Sequence, residues 1–327
     1  MLADVVLGLQ YGDEAKGKVT HYLTRFKHYT HVLRFNGGCN AGHTIYHKGR
    51  KFVTHHIPAG VFYGIKSIIG PGCVISPKHL FEEIEHLKEG GIDVTGKLFI
   101  AENAHIITEG HLVEENAESK IGTTKRGNGP AYRDKYNRTG VRASEISALK
   151  PYLINVYEEF FGDTSVKILC EGAQGFGLDI DWGDYPFVTS SHCGLGGVFL
   201  NGVSPHWIRD VWGVAKIYET YVGSKTFEPD ESIFQSLRDA GEEYGATTGR
   251  PRQCNWMDLD FLERNITFNS VNKLVINKMD VLRNLKQWKL YHRNELMEFK
   301  NESEMCKYIS TRLNKVEVFF SDDKNNI

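Results

Sequence analysis

Residues Ala3 to Leu9 read as a buried strand that runs without a break into GLQYGDEAKGK, Gly8 to Lys18. A strand that empties into a glycine-rich turn and then a helix confines the chain to α/β architecture, with its chemistry at the turn. Gly12-Asp-Glu-Ala-Lys-Gly17-Lys18 has the GxxxxGK spacing of a phosphate-binding loop. Glycines at that spacing let backbone N–H groups close around phosphate oxygens, and Lys16 or Lys18 can neutralise their charge. Val19 stands where such loops carry the Ser or Thr that holds magnesium. Two carboxylates, Asp13 and Glu14, sit in the loop instead. A carboxylate beside phosphates is electrostatically wrong unless it binds a metal or moves a proton. The loop is therefore expected to be both phosphate-binding and catalytic. The plainer alternative is a strand-to-helix turn whose charges face water.

Beyond the loop, short apolar strands alternate with amphipathic helices. Strands are expected at Val32 to Phe35, Ser67 to Ile69, Leu98 to Ala101, Val166 to Cys170, Val271 to Asn277 and Val316 to Phe320. Ser76-Pro77 opens a helix whose face is Leu80, Phe81, Ile84 and Leu87 and whose stop is Gly90-Gly91. Leu149 to Phe161 reads as one helix, and Ser303 to Leu313 as the last. Glu102 to Gly140 is polar and glycine-rich and reads as a mobile excursion. The pattern predicts a mostly parallel central sheet flanked by helices, with a P-loop-like glycine-rich loop after the first strand, in a single domain spanning 1–327. Ligands then bind at the carboxyl ends of the strands.

Composition narrows the function. A net charge of −2 over 327 residues exerts no global pull toward nucleic acid or anionic lipid, so a phosphate site must be local. Six scattered cysteines with no CxxC pair fit reduced thiols in a cytoplasm better than zinc or disulfides. The start MLADVVLGLQ lacks a basic segment, and no 18-residue apolar run occurs.

Four further loops carry chemistry-bearing residues. Asn36 to Thr44 sets His43 among glycines and asparagines, suited either to acid–base work or to a plain turn bond. Ile121 to Pro130 offers Thr124, Lys125 and Arg126 on flexible backbone, suited to phosphate or sugar oxygens or simply to solvent. Gly245 to Arg252 places Arg250 and Arg252 after Thr247-Thr248-Gly249, where two guanidinium groups can clamp a carboxylate or line a solvated turn. Asn277-Lys278-Met279-Asp280 follows a strand, as in guanine recognition, in which an aspartate accepts from N1–H and the 2-amino group; it can equally be a helix start.

In this order the motifs resemble the adenylosuccinate synthetase family of purine biosynthesis. GDEAKGK stands for the family's GDEGKGK, with Ala15 for a glycine. NAGHT is intact at Asn40 to Thr44, IGTT, GPAY and DK follow within Ile121 to Lys135, EGAQG spans Glu171 to Gly175, and GATTGR spans Gly245 to Arg250. The resemblance implies a ligase that joins L-aspartate to C6 of IMP using GTP and Mg2+ and releases GDP and phosphate. By resemblance Asp13 is the base that takes the IMP N1 proton, His43 the acid on the phosphoryl transfer and Lys16 the balancing charge. Asp13 and the Gly42 backbone would hold the metal. Gly12, Glu14, Ala15, Gly17, Lys18 and Thr44 would line the triphosphate, with Lys278 and Asp280 on guanine. Asn40, Thr124, Gln174 and Thr189 would line the IMP site, and Arg138 would reach the neighbouring IMP phosphate across a homodimer. Thr247, Thr248, Arg250 and Arg252 would hold aspartate. No nucleic-acid or membrane partner is implied.

The chain departs from the family at several places. It is shorter than the common bacterial form, and Lys125, Tyr221 to Lys225, Pro251 and Ser321 to Lys324 replace family residues. A viral relative that acts on dGMP, with ATP as an option, stays an alternative. Retention of Asp13 favours IMP, because that branch carries a smaller residue there. A P-loop GTPase or nucleotide kinase is a remoter alternative, opposed by Val19 and by the second loop.

Overall fold

The computed structural model describes residues 1–117, 122–245, 249–323 and 326–327. Its frame is a nine-stranded sheet. In chain order the strands are β1 (Leu2–Gly8), β2 (His31–Arg34), β3 (Lys66–Ile69), β4 (Leu98–Ala101), β5 (Leu153–Ile154), β6 (Lys167–Glu171), β7 (Ile208–Lys216), β8 (Lys273–Asn277) and β9 (Glu317–Phe320). In space the order is β9-β8-β7-β1-β6-β2-β3-β4-β5. Every neighbouring pair is parallel. Six of the seven residues of β1 and all four of β2 are buried, as expected of strands covered on both faces. The α/β reading with a mostly parallel sheet is thus what the chain adopts.

The strands expected from sequence lie within a residue or two of where they were read. The helix Pro77–Glu89 starts as expected, with Ser76 Oγ accepting from His79 N at 3.4 Å and Pro77 in the first turn. Leu149 to Phe161 is a correction. Pro151, which cannot donate to a helical ladder, sits in a 3-10 turn Ser147–Tyr152, and β5 follows. Asn155 then caps a separate helix Val156–Phe161 through Glu158 N at 3.2 Å. The described parts of the polar stretch, 102–117 and 122–140, hold regular structure. Helices Glu109–Ala117 and Asn128–Asn137 pack there, and the Glu115 carboxylate accepts from Gly127 N.

β7 was not foreseen, although it is the longest strand and pairs directly with β1. Its sequence IRDVWGVAK breaks apolar continuity with Arg209, Asp210, Gly213 and Lys216. The partners of these residues are remote in sequence. Arg209 Nε donates to Asp4 Oδ1 at 2.9 Å, and Lys216 is buried against Glu243 at 3.1 Å. A side chain at Gly213 would meet Leu9 Cδ1 at 2.5 Å. A second sheet, Tyr218–Tyr221, Gln253–Asp258, Lys289–His292 and Glu295–Glu298, a hairpin, His43–His47 with Arg50–Thr54, and a short parallel pair, Val74–Ile75 with His105–Ile106, accompany the main sheet. Among the described residues no helix is long and apolar enough to cross a membrane, and all six cysteines are free.

Ala15 caps the first helix, Lys16–Phe26, with φ 70 and ψ 37. That left-handed conformation strains an L-residue by about 1–2 kcal/mol. Glycine adopts it freely but adds unfolded-chain entropy that offsets part of the gain. Ala15→Gly is therefore expected to stabilise the protein by about 0.5–1 kcal/mol. A higher urea midpoint at unchanged slope would bear this out, and a lower midpoint would contradict it.

Candidate active site

The turns after β1, β2 and β6 converge because those strands are neighbours, β2-β6-β1, with aligned carboxyl ends. Each turn is shaped by contacts that the sequence does not advertise.

The first turn is organised by Glu14. Its carboxylate is fully buried, and Oε1 accepts from Gln10 N at 3.1 Å and Gly12 N at 2.9 Å. Lys16 Nζ neutralises it at 2.6 Å. Two loop N–H groups that a standard phosphate loop would aim outward are thus pinned inward, which also pushes Asp13 out. Asp13 has φ 60 and a side chain 38% exposed. Gly8 and Gly175 are needed here, because a side chain on either would meet the Glu14 carboxylate within 2.5 Å. Lys18 is also turned away from the loop. Its Nζ donates to Ser321 Oγ at 2.7 Å and to Asp323 O at 2.9 Å, and burial lowers its pKa to about 8.

The second and third turns meet in a buried charge cluster. Glu171, the last residue of β6, accepts at Oε1 from His43 Nδ1 and from Arg34 Nη1, each at 2.6 Å. Its Oε2 accepts from Ala59 N at 2.9 Å. Burial alone would raise this carboxyl, but the hydrogen bond and charge of His43, with the charge of Arg34, hold it at about 2. His43 is lowered to about 4, first by burial and then by the Arg34 charge. The ring is therefore neutral at physiological pH, seated against Gly17, where a side chain would meet His43 Cβ at 2.9 Å. Sequence reading picked out His43 but gave Arg34 and Glu171 no part in holding it. No local signal in the sequence links Arg34 to Glu171, which lies 137 positions away.

Gln174 Nε2 donates to Asn40 Oδ1 at 3.1 Å, and the buried Gln174 Oε1 has no partner. An unpaired buried acceptor at a strand end is a place for a ligand donor. Thr189 is held nearby in the chain fold, its N donating to Leu178 O at 2.8 Å. Thr124 and Arg138 are exposed, Arg138 with φ 65 just beyond helix Asn128–Asn137.

A second ion network reaches the first turn from the opposite side. Glu243, buried, pairs with Lys216 at 3.1 Å and with Arg252 at 2.5 Å and accepts from Tyr218 Oη at 2.7 Å. Burial opposes ionisation, but the Lys216 and Arg252 charges bring its pKa down to about 2. Arg252 Nε then lies 2.8 Å from Asp13 Oδ2. Arg250 extends elsewhere, donating to Gly122 O at 3.4 Å and Gly223 O at 3.3 Å. Thr247 and Thr248 lie outside the described residues. Past β8, Lys278 Nζ donates to Gly241 O at 2.7 Å, and Asp280 is half-buried in the first turn of helix Met279–Leu285.

Hard oxygen donors for a divalent cation are present in the Asp13 carboxylate and the exposed Gly42 backbone beside His43. The trio Asp179, Asp181 and His192 also clusters. However, both Asp179 oxygens already accept from backbone, from Asp181 N and Trp182 N and from Cys193 N, so this is a turn organiser.

With this geometry in place, the likeness to known proteins is informative. The family model for adenylosuccinate synthetase matches residues 5–164 and 147–322. The chain is 40% identical to the adenylosuccinate synthetase of Halothermothrix orenii, over 88% of this chain and 79% of that one. It is 41% identical to that of Shouchella clausii, over 89% and 80%. The fully ligated adenylosuccinate synthetase of Plasmodium falciparum superposes with a TM-score of 0.88 at 29% identity, covering 98% of this chain and 97% of that one. The cyanophage S-2L succinoaminodeoxyadenylate synthetase, bound to dGMP and dATP, shares the fold at a TM-score of 0.74 and 20% identity, covering 95% and 99%.

Proposed function

The chain belongs to the adenylosuccinate synthetase family, and on that premise we propose how its residues divide the GTP-dependent joining of L-aspartate to IMP. The enzyme is a C–N bond-forming ligase of purine biosynthesis. Asp13 takes the N1 proton of IMP, so that O6 becomes nucleophilic and attacks the γ-phosphorus of GTP. GDP leaves, and the 6-phosphoryl group becomes the leaving group that the aspartate amine displaces as phosphate. A carboxylate suits the first step because it is pushed out on the rim of the turn while Glu14 holds the turn from below.

His43 is the donor to the phosphoryl group. Its neutrality reflects burial beside cationic Arg34. Triphosphate oxygens reverse the sign of that field, and ionised Glu171 on Nδ1 then favours the protonated ring. Lys16 balances charge at the loop. The Asp13 carboxylate and Gly42 carbonyl are the donors we assign to Mg2+, whose chemistry is to neutralise the phosphates. Gly12, Ala15, Gly17 and Thr44 border the phosphates, and Lys278 and Asp280 read guanine. Lys18 and Glu14 serve from beneath, one bracing the C-terminal segment and the other the loop.

Asn40, Thr124, Gln174 and Thr189 line the IMP pocket, and Thr247, Thr248, Arg250 and Arg252 receive aspartate. Arg138, exposed at a helix end, is placed to reach a second subunit's nucleotide in a homodimer. Residues 1–327 work as one domain, in a reducing cytoplasm that suits six free thiols.

The observation that supports this reading is that the turns bearing Asp13, His43 and Gln174 follow three adjacent parallel strands. Chromatography of a reaction holding L-aspartate, GTP, Mg2+ and IMP should show adenylosuccinate, GDP and phosphate in equal amounts. Consumption of dGMP in place of IMP would overturn the substrate assignment. GTP hydrolysis independent of aspartate and purine monophosphate would overturn the ligase.

A further inference from the structure

Lys225 lies in the segment 222–226, where this chain departs from the family pattern. Its side chain is only 14% exposed although its ion-pair partner Asp184 is 52% exposed. The Lys225 ammonium sits 4.7 Å from the Tyr11 ring centroid, 5.2 Å from that of Tyr221 and 5.3 Å from that of Phe227. The three rings pack on one another, Tyr11 against Phe227 at 5.2 Å and Tyr221 against Phe227 at 5.6 Å. Asp184 closes the open side of this box with an ion pair to Lys225. The backbone around it is fastened as well, with Gln253 Nε2 donating to Lys225 O at 2.8 Å.

Such a box is costly for a lysine that serves only solubility, since the side chain forfeits rotamer freedom and hydration. Cation–π attraction from three rings, strongest when desolvated, together with the carboxylate, offsets that cost. What the box joins matters more than its strength. Tyr11 lies two residues before Asp13 in the first turn. Asp184 lies between Gln174 and Thr189. The 222–226 segment abuts Gly122, whose Cβ position is 3.1 Å from Ser224 N, and Arg250 bonds both Gly122 O and Gly223 O. One ammonium therefore ties together the turn that carries the base and two segments that border the nucleotide pocket.

We propose that Lys225 is a positioning residue for the purine nucleotide, holding the 222–226 segment and the Gln174–Thr189 segment in register with the Asp13 turn. This rests on the reading of that pocket as the purine monophosphate site. Lys225 touches no reacting atom and acts through Tyr11, Tyr221, Phe227 and Asp184.

The test compares wild type, Lys225→Met, which keeps the stem and removes the charge, and Lys225→Arg, which keeps a cation able to stack on the rings. Wild-type turnover with IMP and with dGMP is measured first, which decides the substrate independently; the comparison then uses whichever nucleotide is consumed. Lys225→Met is expected to raise the KM for that nucleotide about tenfold, with kcat and the KM for GTP changed less than about twofold. Lys225→Arg should restore most of the loss, and thermal midpoints should stay together. An unchanged nucleotide KM in Lys225→Met would overturn the proposal. So would equal failure of Lys225→Arg, or a rise in all three substrate KM values in step with a fallen midpoint.

Discussion

Asp13→Asn is expected to lower kcat by about three orders of magnitude while leaving IMP affinity within about threefold. The substitution removes the proton acceptor and one of the two donors assigned to Mg2+, while the fold depends little on the carboxylate. Asp13 sits at φ 60, a conformation that asparagine adopts as readily as aspartate. The turn is held by Glu14 accepting from Gln10 and Gly12, which the change does not touch. Arg252 loses one partner but keeps Glu243 at 2.5 Å, so no buried charge is orphaned. Stability should therefore move by less than about 0.5 kcal/mol. Initial rates, calorimetric titration with IMP and a thermal melt together check this. Activity within tenfold of wild type would remove Asp13 as the base.

Glu171→Gln is expected to damage both fold and chemistry. The Glu171 carboxylate accepts from Arg34, His43 and Ala59 at once, with no solvent in reach. An amide cannot do so, because its NH2 must face one of those donors. Arg34, 2% exposed, keeps its charge without a counter-charge. Breaking a buried pair from one side costs about 3–5 kcal/mol, which lowers the melting midpoint by about 4–7 °C in a chain of this size. His43 meanwhile loses the acceptor that fixes its ring, and kcat should fall about a hundredfold. His43→Asn should lose a similar factor. Because the two residues act as a unit, the double variant should be little slower than the worse single one. Multiplying losses would mean that Glu171 affects rate only through the fold.

How much of this was legible beforehand follows from the range of the interactions. β1, β8 and the Ser76 cap were readable because the signal lies within a few adjacent residues. The turn after β1 was readable as a turn because glycines bracket its charged residues within a few positions. Elements whose polar residues are satisfied at long range were not readable. β7 hides behind Lys216, whose counter-ion is Glu243, and behind Arg209, whose counter-ion is Asp4. Arg34 and Glu171 sit 137 positions apart, and no local pattern says that they touch. Glu14 is the instructive case. Its place in a phosphate-loop motif suggested an outward group, whereas its full burial makes it the post on which the loop is hung.

The strand order also has a consequence for how the polypeptide is made. β6 lies between β1 and β2 in space yet follows them by well over a hundred residues. When residue 166 leaves the ribosome, β1 to β5 exist but the strand that joins β1 to β2 does not. Until then the Asp13 turn and the His43 turn share no ladder, and β1, whose neighbours are β6 and β7, has no partner strand at all. Joining these turns needs contacts of large sequence separation, which form late and slowly. The nascent N-terminal half is thus the part that must be shielded from misassociation, and the reaction centre is assembled only as the second half threads into the first.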